Sequence, residues 1–192
     1  MLIVLCFFSL RVNAYIPDTV PTFQSQQLAA GKILLAGEII TGGVFKQTVI
    51  LLTRHDQTGT IGLIINRPSE LSMKDVIPRW EEDDSTRHLF DGGPVDQAML
   101  SVLVKMKHER AGLKKIIPGI YHAYISSFED ARHHGASDAE LVRFYSGYAG
   151  WRKGQLEAEI KRGGWHVIDV APEGLLGMDP ASMWSDLMGK TH

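Results

Sequence analysis

Apolar residues in this chain come first in short unbroken runs and later in spaced stripes. Ile33-Leu34-Leu35-Ala36 and Thr48-Val49-Ile50-Leu51-Leu52-Thr53 are runs of strand length, the second rich in β-branched residues. Thr60-Ile61-Gly62-Leu63-Ile64-Ile65-Asn66 is a third, joined to the second through Asp56-Gln57-Thr58-Gly59. Two strands around so short a polar turn predict a β-hairpin. Their near-continuous apolar character predicts a sheet covered on both faces. Arg67-Pro68 closes the third strand, because proline cannot continue the ladder. Ser72 with Asp75 predicts a short capped helix through Ile77, stopped by Pro78. Leu89-Phe90 leads into the turn Asp91-Gly92-Gly93-Pro94, and further strands are expected over 100–104, 121–125 and 165–170.

Helical spacing belongs to the second half. Ser137-Asp138-Ala139-Glu140 has the form of a capping box, and Leu141, Val142 and Tyr145 follow at core spacing, so a helix is predicted there. Leu156, Glu159 and Ile160 predict a second helix over 155–162, ended by Gly163-Gly164. Asp179-Pro180 opens a third, with Met183, Trp184, Leu187 and Met188 on its apolar face.

Composition sets limits on this picture. The 192 residues suit one domain, and 44% hydrophobic with 22% charged residues is ordinary for a globular chain with a real core. The formal net charge of −2 gives no overall field favouring nucleic acid. A local basic group (Lys105, Lys107, His108, Arg110, Lys114, Lys115) is interrupted by other residues and is expected to be a solvated loop. The adjacent carboxylates Glu81-Glu82-Asp83-Asp84 suit a solvated acidic loop.

Residues 2–10 form a short apolar run of signal-peptide length, and Val12-Asn13-Ala14 resembles a small-residue cleavage site. The run is too short to span a bilayer, which takes about 20 residues, and no Lys or Arg precedes it. A leader over 1–14, a linker over 15–30 and one domain over 31–192 are therefore expected, with no membrane span in the mature chain. Cleavage after Ala14 implies a periplasmic or secreted protein; an intact start, or a mis-chosen one, implies a cytoplasmic protein. The single cysteine, Cys6, lies in the leader, so neither an intrachain disulfide nor a Cys-based site is expected.

Candidate chemistry is sparse. No serine lies in a Gly-x-Ser-x-Gly elbow. No His-Glu-x-x-His is present, His133 and His134 are adjacent, and the remaining histidines are scattered. Neither glycine-rich stretch carries the lysine and hydroxyl of a phosphate loop. No catalytic residue, metal or cofactor is assigned. Asn66-Arg67 at a strand end offers amide and guanidinium donors for a carboxylate or phosphate. The structural alternative pairs Arg67 with Asp91 and lets Asn66 cap the turn. Tyr148, Trp151 and Gln155 could line an aromatic-polar pocket, or could be core residues tethered by their polar ends.

Taken together, Gly31-Lys32-Ile33-Leu34-Leu35-Ala36, Phe45-Lys46-Gln47-Thr48-Val49, Gly62-Leu63-Ile64-Ile65-Asn66-Arg67-Pro68, Gly92-Gly93-Pro94-Val95, Gly147-Tyr148-Ala149-Gly150-Trp151 and Gly154-Gln155-Leu156-Glu157-Ala158-Glu159 resemble the YqgE/AlgH family in order and spacing. The resemblance covers about residues 29–190. It implies an α/β (α+β) fold, with a mixed, strongly bent β-sheet forming a barrel-like core flanked by helices. It brings no established activity or cofactor, although one branch is named as a regulator of alginate synthesis. Gly37-Glu38 and Arg152-Lys153 depart from the pattern common among relatives.

Three functions follow as expectations. The first is a non-enzymatic binding or regulatory module for a small molecule or a protein. Its candidate surface comprises Asn66, Arg67, Asp91, Gly92, Gly93, Tyr148, Trp151 and Gln155. The second is a hydrolase of unfamiliar geometry, with Asp91, Glu157, His122 and His166 as titratable candidates. The third is a transcriptional regulator, for which no basic recognition helix is found, so nucleic acid is not an expected partner.

Overall fold

The computed structural model describes residues 28–78, 80, 88–133, 139–169 and 172–190. The expected leader, most of the linker, the acidic loop and the first half of the 137–140 capping box lie outside these residues.

The elements in chain order are β1 (Ile33–Ala36), β2 (Val49–Asp56), β3 (Gly59–Ile64), β4 (Pro68–Ser72), α1 (Met73–Val76), β5 (His88–Asp91), β6 (Val95–Met106), β7 (Lys114–Ile117), β8 (Ile120–Tyr124), α2 (Ile125–His133), β9 (Ala139–Arg152), α3 (Gln155–Lys161), β10 (Trp165–Ile168), α4 (Pro172–Leu175) and α5 (Met183–Met188). They build one 10-stranded sheet whose main path runs β10-β1-β2-β3-β9-β6-β8-β7. Most pairs are antiparallel, and β5 joins β9 in parallel, so the sheet is mixed.

The predicted hairpin is present, with Ile50 opposite Ile64 and Asp56 opposite Gly59. Both faces of these strands are buried, as their apolar runs require. Ile33, Leu35, Val49, Leu51 and Leu63 enter one core cluster; Leu34, Ala36, Ile50, Leu52 and Ile64 enter another on the opposite face. The first cluster also takes Ile116 and Ile120 from the far end of the strand path, together with Leu175, Leu176, Met183 and Leu187 from the C-terminal helices. Only a strongly bent sheet brings β1 and β7 side chains into one core. The bend stops short of closure: the main path begins at β10 and ends at β7, so the sheet is open and not a barrel. The C-terminal helical segment fills the inside of the bend, and Trp184 Nε1 donates to Ala36 O at 2.9 Å.

The long β9 corrects the helix expected after Ser137. Residues 139–152 are a 14-residue strand. Leu141, Val142 and Tyr145 mimic a helical stripe over one turn, but Arg143-Phe144-Tyr145 also suits a strand. Eight residues of register with β6, from Leu100↔Ser146 to Met106↔Ala139 with Val95↔Tyr148 beyond, supply the tertiary pairing that decides between them. β3 stops at Ile64, short of the expected end at Arg67-Pro68, and Pro68 is the first residue of β4, where its missing N–H is tolerated. Asp75 accepts from both the backbone N–H and the hydroxyl of Ser72, at 2.6 and 2.7 Å, to start α1 as expected.

The signature glycines explain how β9 changes neighbours. On one side it keeps β6; on the other it pairs with β5 over 144–146 and with β3 over 149–152. Gly147, at φ +67°, sits between the two. Gly92 bridges the exchange: its N–H donates to Ser146 O and its carbonyl accepts from Ile64 N–H, both at 2.9 Å. A Cβ on Gly93 would lie 2.3 Å from Tyr148 C, and one on Gly147 would lie 2.5 Å from Gly93 O. Backbone therefore packs directly on backbone at this crossing, and only glycine fits there.

Candidate functional site

The side chains of the eight residues proposed from sequence do not converge on one site. Asn66 and Arg67 grip the loop between β1 and β2. Asn66 Oδ1 accepts from Val49 N–H at 2.9 Å, and its Nδ2 donates to Gln47 O at 3.0 Å. Arg67 donates to Lys46 O at 2.5 Å. The expected Arg67–Asp91 ion pair is not formed; their link is through backbone, Asp91 N–H to Arg67 O at 2.8 Å. Guanidinium and amide are thus committed to the carbonyls and N–H of a loop that lacks a regular ladder, with Gln47 at φ +54°. Asn66→Ala is expected to cost about 2 kcal/mol, since it leaves two backbone groups unpaired. Urea unfolding checks the loss, and hydrogen exchange should show it concentrated at the Val49 amide.

That loop presents Phe45 to Trp151 and Trp165, with ring centroids 6.4 and 5.6 Å away. Both indole N–H groups donate to Glu159 Oε2 at 2.9 Å, and Gln155 Nε2 donates to its Oε1 at 2.9 Å. Trp151 and Gln155 therefore act as tethers of a buried aromatic cluster. Asp91 is exposed and accepts from Gly93 N–H at 3.3 Å, closing the turn at the glycine crossing.

Tyr148 lies elsewhere. Along a strand, alternate residues face opposite ways, so residues three apart cannot share a face. Ala149 and Trp151 join the outer cluster, whereas Tyr148 packs against the inner one. There it lines a cavity of about 180 Å³ with Thr53, Arg54, Ile61, Leu63, Met99, Ser101, Lys114, His122, Tyr124 and Ser127.

This cavity is the candidate site. Its floor continues the inner core through Ile61 and Leu63. Register builds its wall: Lys114 stands opposite His122 across β7–β8, and Ser101 opposite Tyr124 across β6–β8. Lys114 Nζ donates to Thr53 O at 3.2 Å, spanning from β7 to β2. Arg54 is paired with Asp56 at 3.3 Å. The His122 ring meets Tyr124 edge to face at 5.7 Å and has no hydrogen bond to another side chain or to backbone among the described residues. Burial, and then the charge of Lys114, pushes its pKa down to about 4. Its neutral ring at pH 7 can donate through one nitrogen and accept through the other.

That shift makes stability depend on pH. Between pH 6.5 and about 4 the unfolded chain takes up a proton that the native ring refuses. His122 should therefore lower stability as pH falls through that window. Urea unfolding at pH 7 and pH 5 is expected to show a smaller pH 5 deficit in His122→Phe than in the unaltered chain.

Of the other titratable candidates, Glu157 is exposed on α3, His166 lies on β10 and Asp91 on the glycine turn; none lines this cavity. Sequence reading assigned Lys114 to a solvated loop. Lys107–Gly112 is turn or irregular, but Lys105 lies in β6 and Lys114 and Lys115 lie in β7. The available signal was Pro118-Gly119, a turn whose hairpin would have set Lys114 opposite His122. Among the described residues no group of three or more His, Cys, Asp or Glu is placed to hold a metal ion. No helix among them is long and apolar enough to cross a membrane.

An open, bent, mixed sheet crossed by backbone-packed glycines and filled by C-terminal helices defines a small α+β domain class. The family profile described as AlgH-like (DUF179) matches residues 33–192, and the chain belongs to that family. It is 33% identical to a UPF0301 protein of Chlorobium luteolum over 163 residues, 83% of this chain and 84% of the relative. It is 32% identical to a UPF0301 protein of Mycobacterium tuberculosis over 171 residues, 85% of this chain and 83% of the relative. The solution structure of the AlgH protein from Pseudomonas aeruginosa superposes with a TM-score of 0.70 at 26% identity, covering 87% of this chain and 90% of that one. The crystal structure of protein DIP2367 from Corynebacterium diphtheriae gives 0.73 at 22% identity, covering 85% and 87%, a likeness of fold. These relatives are uncharacterised, and no specific molecular function is established for the family.

Proposed function

We propose that this domain is a non-enzymatic binding module and that the cavity beside His122 and Tyr148 is its ligand site. The observation that carries the reading is the state of His122. It faces a cavity lined with hydroxyls, yet among the described residues it is hydrogen-bonded to no hydroxyl that it could activate and to no carboxylate that would orient it. A ring so placed suits recognition of a bound molecule better than proton transfer. The size fits a small molecule, since 180 Å³ lies below the roughly 300–1,000 Å³ of drug-sized sites. In a regulatory role the domain would act through ligand or partner binding, because its formal charge of −2 gives no attraction to duplex DNA.

The test is a fragment screen of the intact protein by thermal shift, with the His122 ring followed by NMR. Binders are expected to perturb that ring, and His122→Phe and Tyr148→Ala are expected to abolish their shifts, while Arg67→Ala retains them. Stabilising ligands that leave the His122 ring unmoved and survive both substitutions would reject this cavity.

We further propose that residues 1–14 are a leader removed after Ala14, which would place the domain outside the cytoplasm. The mass of the protein isolated from its own cell decides this. Tyr15 at the amino terminus supports export, and retention of Met1 rejects it.

A further inference from the structure

We infer that the cavity takes a small organic monoanion, with its carboxylate held between Lys114 and His122 and a compact apolar body lying over Ile61 and Leu63. This inference rests on the proposed binding reading and names its ligand class.

Charge is the first argument. The lining holds Lys114 and Arg54 and no Asp or Glu. Arg54 is already balanced by Asp56 at 3.3 Å. Lys114 is not: among the described residues its hydrogen bond goes to the neutral carbonyl of Thr53 at 3.2 Å, and no carboxylate pairs with it. One of its three ammonium donors is used, which leaves two for an incoming anion.

Donor type is the second. His122, Ser101, Ser127 and Tyr148 line the same cavity and bring an imidazole and three hydroxyls to its wall. Hydroxyls and imidazole can donate to a carboxylate, and nothing in the lining would repel it. A cation would meet Lys114 with no carboxylate to offset it.

Size is the third. Apolar cavities of about 150 Å³ hold benzene in other proteins. The 180 Å³ found here fits a single ring carrying one carboxylate. Ile61 and Leu63 supply the apolar wall and Lys114 the charge.

Benzoate, benzyl alcohol and benzylamine share a ring and differ in charge, so they are the probes. Calorimetric titration of the intact chain is expected to show saturable binding of benzoate, with the alcohol and the amine at least tenfold weaker. Lys114→Met should weaken benzoate at least tenfold and leave the alcohol unchanged, and Lys114→Arg should restore most of the loss. Circular dichroism confirms that each variant is folded. Equal binding of benzoate and benzyl alcohol would overturn the anion inference and leave the binding reading standing. So would failure of benzoate while other fragments move the His122 ring. If neither benzoate nor any fragment moves that ring, both fall.

Discussion

Gly93→Ala is expected to lower the unfolding free energy by about 3–5 kcal/mol, a large part of the roughly 5–15 kcal/mol available to a domain. Two effects add. At φ +145° the backbone of Gly93 is in a region that a side chain disfavours, worth about 1–3 kcal/mol. The new Cβ would also sit 2.3 Å from Tyr148 C and 2.5 Å from Ala149 N. Those atoms belong to β9, which is fixed by β3 and β6 on its two sides, so they cannot move aside as a flexible side chain would. Overpacking of this kind costs about 1–3 kcal/mol more. Gly43→Ala separates the contributions. Gly43 has φ +72° but nothing within 4 Å of its would-be Cβ, so its loss should be about 1–2 kcal/mol. Urea unfolding of both variants at pH 7 makes the comparison. Equal losses at the two sites would show that backbone overlap at the crossing is not a constraint.

The same crossing shows what a sequence can and cannot carry. Continuous apolar runs at 33–36 and 48–53 announced strands buried on both faces, because no other arrangement hides every side chain. Local signals also placed α1, α3 and the apolar stripe of α5, whose patterns are contained within each segment, although α5 starts at Met183 after Ser182 and not at Pro180 as Asp179-Pro180 suggested. What could not be read locally was partnership. Residues 139–152 carry a helix-like start, and only β6, more than thirty residues upstream, makes them a strand. Signature glycines at 92, 93 and 147 were visible as glycines, but their task of letting two backbones touch is a property of the assembled sheet. For the candidate site the limit was the same. Tyr148 and Trp151 are neighbours in a motif, yet strand alternation sends them to opposite faces. His122 and Lys114 are separated by a hairpin and meet across it.

Glu159 carries the second large effect. Its Oε2 accepts from two indoles that are themselves nearly inaccessible, Trp151 at 6% and Trp165 at 3% exposure. Glu159→Ala would leave both N–H groups without their shared acceptor, beside the ring of Phe45. At about 1–3 kcal/mol for each stranded donor, a loss of about 3–4 kcal/mol is expected, with α3 and the 37–48 loop loosening together. Glu159→Gln keeps one carbonyl oxygen, but its amide nitrogen must face either the indoles or Gln155, so a smaller loss of about 1–2 kcal/mol is expected. Burial pushes the Glu159 pKa up, but hydrogen bonds from Trp165, Gln155 and Trp151 and the charge of Arg162 outweigh it and hold the carboxyl below its usual range. A carboxylate lowered in this way contributes stability that is complete above the unfolded-state pKa near 4.5 and is lost as pH falls through the lower folded value. The unaltered chain should therefore lose stability below pH 4.5 more steeply than Glu159→Gln, which has no proton to take up there. Tryptophan fluorescence during urea unfolding at pH 7, 4.5 and 3.5 reads the cluster directly. Parallel pH profiles for the two proteins would mean that the paired indoles do not depend on the charge of this carboxylate.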